Sequence, residues 1–304
     1  MKRWAISFTI LLFFTGCIQT DLSNCPSEVV IDFEYVHNKQ EIDLLHQEVH
    51  TIALFVFDHN NKFVMRKDQD ITPGNATITF DLDQGMYRFV AWGNLNEHYE
   101  EIHLETNIST TTDLLVSLRH ENNEVKKQLS LFHAQLSSEK VERLGLKKKM
   151  SFIKNSNDIT VTLNYPKTTP QMRSDNTSGL FSLHTTNGAL DASNQAQPEI
   201  GFRSYQSLSA KDTATANNMQ TTIAFSTLQL ATDRPILFNA STAEQRTTDL
   251  RFQYDLMDVI NQTPIDLTKE DSYHVIFNFN SANISTIYVN GWEVVNNNGD
   301  VGIE

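Results

Sequence analysis

Cys17 carries the clearest chemistry in this chain. Thr15 and Gly16 stand directly before it, and Trp4 to Phe14 form an uncharged apolar run behind Lys2 and Arg3. A basic start, a short apolar stretch and small residues before a cysteine read as a lipoprotein signal, with cleavage expected between Gly16 and Cys17; an ordinary secretory signal cut elsewhere, or an uncleaved anchor, is the alternative reading. The apolar run is eleven residues long, too short to span a bilayer as a mature helix. Phe14 stands where leucine is more usual. Each buried acyl CH₂ contributes roughly 0.8 kcal/mol, so two or more chains, palmitate among them, hold a protein on a membrane stably. A covalent lipid on Cys17 is the one non-protein group expected; no other cofactor and no metal is.

The remaining reactive side chains form no recognisable active site. His46-Gln-Glu-Val-His50 has the look of a metalloprotease helix, but that chemistry needs Glu directly after the first His, and Glu48 comes one residue late. No Gly-rich phosphate loop follows a strand, and no G-x-S-x-G elbow is present. Acidic residues are plentiful, as on most solvated β surfaces, and none of them stands out as one of the two carboxylates that glycoside hydrolysis requires. The expectation is a protein without enzymatic activity. Lys147-Lys148-Lys149 reads as an exposed turn or strand entrance, and Asp212-Thr213-Ala214 fits a short O-glycosylation acceptor pattern. Trp92 and Trp292 lie in strand-like patterns and read as core.

Composition narrows the class further. Residues 1–16 are expected to be removed as the signal peptide, leaving 288 residues and, with Lys2 and Arg3 gone, a formal charge that moves from −13 to −15. So acidic a chain repels nucleic acid and anionic headgroups, so the lipid must do the membrane work and no nucleic-acid partner is expected. Cys17 and Cys25 are the only cysteines. With Cys17 acylated, Cys25 has no disulfide partner and is expected to be buried. The 27 Asn against 11 Gly and 7 Pro suit a β-rich protein whose turns are made by Asn.

The elements that must carry these residues read as strands. Val29, Ile31, Phe33 and Tyr35 alternate with polar neighbours, as do Ile78, Phe80 and Leu82; Ile159, Val161 and Leu163; Leu250, Phe252, Tyr254 and Leu256; and Tyr273, Val275, Phe277 and Phe279. Ile52–Phe57 and Phe89–Trp92 are apolar throughout, as in strands covered on both faces. Residues 40–50 read as a short helix, with Ile42, Leu45 and Val49 on one face, and 138–146 as a second. Residues 186–219 read as a long polar loop. The pattern dissolves after Pro166, which divides the chain into a lipidated tether over 17–27, an N-terminal domain over 28–166 and a C-terminal domain over 167–304.

Several segments resemble one family. Cys17-Ile-Gln-Thr-Asp-Leu-Ser-Asn-Cys25-Pro26, Ala53-Leu-Phe-Val-Phe-Asp58, Tyr87-Arg-Phe-Val-Ala-Trp-Gly-Asn94, Leu131-Phe-His-Ala134 and Tyr288-Val-Asn-Gly-Trp-Glu-Val-Val295 look like the Bacteroidales fimbrial anchor lipoproteins of the FimB type, in the expected order along the chain. His133-Ala134 departs slightly from the family, which often has Gly there. The resemblance implies two tandem antiparallel β-sandwich domains of transthyretin-like form, no enzymatic activity, and a place at the base of a type V pilus. Such proteins sit on the outer-membrane surface, hold the fibre and limit its length, joined to stalk subunits by β-strand complementation. A tip or accessory adhesin subunit with a host or bacterial surface ligand is the alternative within the family. A stand-alone glycan-binding lipoprotein, with an exposed aromatic cluster, is the alternative outside it.

An anchor needs a lipid end and a strand-pairing end. Cys17 supplies the first. For the second, the apolar pattern changes phase at Gly291, which reads as a β-bulge, and Val301 and Ile303 alternate in an otherwise polar tail. Trp292, Val294, Val301 and Ile303 are therefore the expected partner contacts, with the tail as a strand donor; a frayed C-terminus is the equal alternative. If Val29–Tyr35 stays joined to Cys17, its own groove remains filled and growth stops at this subunit.

Overall fold

The computed structural model describes residues 26–167, 181–244, 247–280 and 283–295. Its strands in chain order are β1 (Ser27–Glu34), β2 (Thr51–Asp58), β3 (Phe63–Asp70), β4 (Thr77–Leu82), β5 (Gly85–Gly93), β6 (Leu115–Ser117), β7 (Glu124–Val125), β8 (Phe132–Val141), β9 (Leu146–Ser151), β10 (Ile153–Lys154) and β11 (Ser156–Pro166). They continue as β12 (Phe181–Thr185), β13 (Ala189–Asp191), β14 (Arg203–Gln206), β15 (Ser209–Ala214), β16 (Asn218–Leu228), β17 (Leu237–Glu244), β18 (Thr247–Asp255), β19 (Ser272–Asn280), β20 (Asn283–Val289) and β21 (Trp292–Val294). Two single-turn helices, α1 (Leu45–Glu48) and α2 (Met257–Ile260), interrupt them. The protein is mainly β, as the alternating patterns predict.

Two pairs of facing sheets follow from where the apolar side chains point. A three-stranded sheet, order β4-β1-β9, covers one face of a five-stranded sheet, order β10-β8-β5-β2-β3. Val29, Ile31, Phe33, Ile78, Phe80 and Met150 meet Leu54, Val56, Phe89 and Phe132 between them. A six-stranded sheet, order β15-β16-β11-β19-β20-β21, faces a second five-stranded sheet, order β18-β17-β12-β14-β7. Ile159, Val161, Phe225 and Phe277 meet Leu183, Tyr205, Phe238 and Phe252 there.

Strands β2 and β5 serve both cores. Ile52, Leu54 and Val56 enter the first, while Ala53, Phe55 and Phe57 enter the second. Period-two alternation sends successive side chains to opposite faces, so an all-apolar strand must be covered on both. Val90 and Trp92 continue the second set on β5.

Four expectations need correction. The boundary after Pro166 falls at the end of β11, yet β11 pairs with β16 and β19 and so belongs with the later strands. The loss of pattern marks the passage from one sheet to its facing sheet. The change between sheet pairs comes earlier, at Phe152–Asn155, and β6 and β7 already pair with β13 and β14. The helix over 40–50 shrinks to α1. Asn38 is buried and its amide donates to the Tyr35 and Ile42 carbonyls at 3.1 and 2.8 Å, while Asp43 accepts from the Leu45 N–H at 3.0 Å. These side-chain bonds hold the backbone in turns and leave Ile42 exposed.

No helix forms over 138–146. Strand β8 pairs along β5 to Val141, a turn closes with Gly145 at φ +87°, and β9 begins. The polar stretch 186–219 contains β13, β14, β15 and the start of β16, with Ala189, Leu190 and Tyr205 buried. Strands of three or four residues, such as β13 and β14, carry too few alternations to show a period, and β15 is exposed at all six positions and so has no apolar row.

Candidate functional site: the N-terminal strand and the C-terminal hairpin

Strand β1 occupies the middle of its sheet. On one side it pairs antiparallel with β4, from Ser27 opposite Leu82 to Asp32 opposite Thr77. On the other it pairs parallel with β9, from Val29 opposite Leu146 to Glu34 opposite Ser151. Its inward residues Val29, Ile31 and Phe33 are buried, and Tyr35 continues the row. The Phe33 ring stacks on Phe152 with centroids 5.5 Å apart, and Tyr35 meets Phe132 edge-on at 5.1 Å. Fully burying each such side chain contributes roughly 1.5–3 kcal/mol, so this short strand is held mainly by its inner face.

The outward face is tied by charge. Asp32 accepts from the Thr77 hydroxyl at 2.7 Å and faces Lys147 at 3.6 Å. Glu34 pairs with Lys149 at 2.8 Å and accepts from the Ser151 hydroxyl. The hydrogen bond from Lys149, then that from Ser151, holds the Glu34 carboxyl below its ordinary pKa. Lys148 pairs with Glu139 at 2.8 Å. The triple lysine run is thus part of β9, each ammonium matched to a carboxylate. Composition gave no sign that Lys147 and Lys149 flank β1, because their partners Asp32 and Glu34 lie more than a hundred residues away in sequence.

The C-terminal hairpin is the second element. Val289 pairs with Trp292 across the two residues Asn290 and Gly291, whose φ values of 47° and 88° match the left-handed turn that Asn-Gly favours. The phase change at Gly291 is therefore a hairpin turn; no bulge is present there. Trp292 is 55% exposed, which corrects its reading as core, whereas Trp92 is fully buried. Among the described residues β21 is the sheet's last strand, and none of their strands lies beyond it. Val294 is partly buried against the second core, and Val295 is 68% exposed. The Gln262 amide holds the Val295 backbone by both its N–H and its carbonyl, each at 3.1 Å. Gly16, Cys17, Cys25, Val301 and Ile303 lie outside the described residues, so the structure unites only Trp292 and Val294 among the expected contacts.

Other sequence features resolve without chemistry. His46 and His50 are exposed, and Glu48 turns to Lys154 at 3.2 Å. Among the described residues no three His, Cys, Asp or Glu side chains gather as metal ligands. Asp212-Thr213-Ala214 lies on β15, an edge strand exposed at all six positions. A cleft of about 230 Å³ lined by Arg66, Asn96, Tyr99, Glu100 and Arg119 had no sequence signal. The exposed large aromatics among the described residues, Phe202 and Trp292, stand beside different sheets and form no single platform.

The segment joining β1 to α1 also reaches the loop before β19, which the sequence did not foretell. Lys39 pairs with Glu270 at 2.9 Å, Lys269 with Glu41 at 2.6 Å, and His37 lies 3.2 Å from the Thr268 hydroxyl. Lys154, mostly buried, sits between Asp271 at 2.9 Å and Glu48 at 3.2 Å. Burial opposes its charge, but the two carboxylates outweigh that and hold its pKa above the ordinary lysine value.

Comparison with known proteins places these elements. The fimbrial anchor protein Mfa2 from Porphyromonas gingivalis superposes with a TM-score of 0.73 at 16% identity, covering 89% of this chain and 99% of that one. A candidate polysaccharide-binding protein from Bacteroides thetaiotaomicron superposes at 0.72 and 19% identity, covering 89% and 99%. A candidate adhesin from Bacteroides ovatus does so at 0.70 and 16%, covering 90% and 97%. At such identities the likeness is one of fold. A search of curated protein sequences found no match. The profile of the fimbrillin-A associated anchor proteins Mfa1 and Mfa2 matches residues 22–298, from just before β1 to just past β21. The chain therefore belongs to the family of fimbrillin-A associated anchor proteins and is a fimbrial subunit associated with the cell surface.

Proposed function

We propose that this protein is the lipid-anchored base of a fimbria. Acylated Cys17 holds it on the outer membrane, with the folded part facing outward. Cys17 stands ten residues before the start of β1 in sequence, and the placement of β1 carries the proposal. A subunit that accepts a neighbour's strand needs an open groove, and here the groove between β4 and β9 is filled along both flanks by the chain's own strand. Such a subunit receives no donor strand and ends the fibre at its base, which limits length. Its contact with the stalk lies at the opposite end of the chain. Trp292, Val294 and the segment carrying Val301 and Ile303 add a strand to the groove of the first stalk subunit. The role is one of binding and needs neither catalysis nor a cofactor beyond the lipid.

The test compares cells carrying the native chain with cells carrying Cys17→Ala, following fimbriae on the surface and in the medium. Fibres shed into the medium or grown abnormally long support the base position. Fibres of unchanged length and attachment refute it and favour a tip subunit or a glycan binder. Deleting residues 296–304 should separately abolish capture of the stalk, and undiminished capture refutes the tail as donor.

A further inference from the structure

We infer that β1 is a mechanical clamp, built so that tension between membrane and fibre loads its hydrogen bonds together and not one after another. The inference rests on the anchor reading for the origin of the load, and on strand direction and pairing for everything else. At one end β1 begins beside the β8–β9 turn, where Gly145 packs against the Glu28 carbonyl. At the other it leads to Lys39 and Glu41, which grip Glu270 and Lys269 beside β19. Strand β1 therefore runs from the tether end of the molecule toward the later sheets.

The backbone supplies a continuous path for the load. Parallel β9 runs beside β1 in the same direction over six residue pairs. It continues through Phe152–Asn155 into β11, which pairs with β19, and β19 leads on to β20 and β21. Pulling the N-terminus backward and the C-terminus forward slides β1 against β9 along their common axis. Sliding must break the pairs with β9 and β4 together, expel Val29, Ile31 and Phe33 from the core, and part Asp32 and Glu34 from Thr77, Lys147, Lys149 and Ser151. An antiparallel β1–β9 pair loaded at the same two ends would instead open from one end.

The test holds single molecules of the chain at constant force by two thiols. Cys17→Ala and Cys25→Ala remove the native thiols, and Pro26→Cys places one handle at an exposed position directly before β1. The second handle is Val295→Cys or Leu144→Cys, both at exposed side chains. Pulling 26 against 295 slides β1 past β9; pulling 26 against 144 separates the neighbouring starts of β1 and β9 and unzips them. At equal force the first geometry should survive at least about tenfold longer, the ratio set by each 1.4 kcal/mol of added barrier. Equal or shorter survival overturns the clamp. Since the measurement uses isolated molecules, that outcome leaves the base position to the Cys17→Ala fibres, and a failure there leaves the clamp standing.

Discussion

Acid should destabilise this protein through one buried imidazole. His133 on β8 is 3% exposed, its ring lies against Trp92 with centroids 4.6 Å apart, and its Nε2 lies 3.2 Å from the Ala192 carbonyl oxygen. A neutral ring carrying its proton on Nε2 donates that hydrogen bond. Burial lowers the His133 pKa from 6.5 to about 4, against the raising effect of the bond to Ala192, and the Arg88 charge adds to the lowering. Between those two values the unfolded chain binds a proton that the folded chain does not, so stability rises with pH across the window. The contribution is complete above pH 6.5 and is lost as pH falls toward 4.

Integrating the proton difference gives about 3 kcal/mol lost between pH 7 and pH 4, with about 2 kcal/mol gone by pH 5. Burial depresses His184 and His274 as well, so the whole chain's pH response is a sum. The diagnostic quantity is the difference between the native chain and His133→Phe, measured by urea unfolding with Trp92 fluorescence at several pH values. The native chain should lose about 3 kcal/mol more than the variant on acidification. Parallel pH curves for the two proteins would falsify the assignment of a neutral, buried His133.

Three further outcomes follow from packing. Phe33→Ala should cost about 3–5 kcal/mol in urea unfolding, because a buried ring of β1 leaves a cavity beside Phe152; a loss under 1 kcal/mol would mean that β1 adds little. Gly145→Ala should cost more than Gly291→Ala. Both have positive φ, a strain of about 1–2 kcal/mol, but a Cβ at 145 also collides with the Glu28 carbonyl while one at 291 meets open space. The reverse order in thermal melts would contradict that contact. Trp92→Ala should cost about 3–5 kcal/mol and Trp292→Ala within about 0.5, a contrast that comparable losses would refute.

Much of the strand content was legible in the sequence. The alternations of Val29–Tyr35, Ile78–Leu82, Ile159–Leu163 and Tyr273–Phe279 each became a strand with its apolar row buried. The all-apolar runs Ile52–Phe57 and Phe89–Trp92 became strands shared by two cores. Strands of three or four residues, such as β13 and β14, were not legible because they are shorter than the period needed to detect them. The fate of Trp292 was hidden for another reason. Alternation tells which way a side chain points, but exposure depends on whether another strand lies beyond it.

The same division holds at the candidate site. The signal-like pattern before Cys17 and the amphipathic β1 are local properties, written in residue type and spacing within a few positions; Asn290-Gly291 is local too, yet its hairpin turn reads in the sequence as a β-bulge. That β1 lies between β4 and β9, that Lys147 and Lys149 flank its carboxylates, and that Lys39 reaches Glu270 were decided only by the tertiary structure. Side-chain direction is set by each residue's own backbone, whereas backbone hydrogen bonds carry no residue identity. A sequence can therefore declare a strand and its buried face, while the neighbour that fills its edge is settled when distant segments pack.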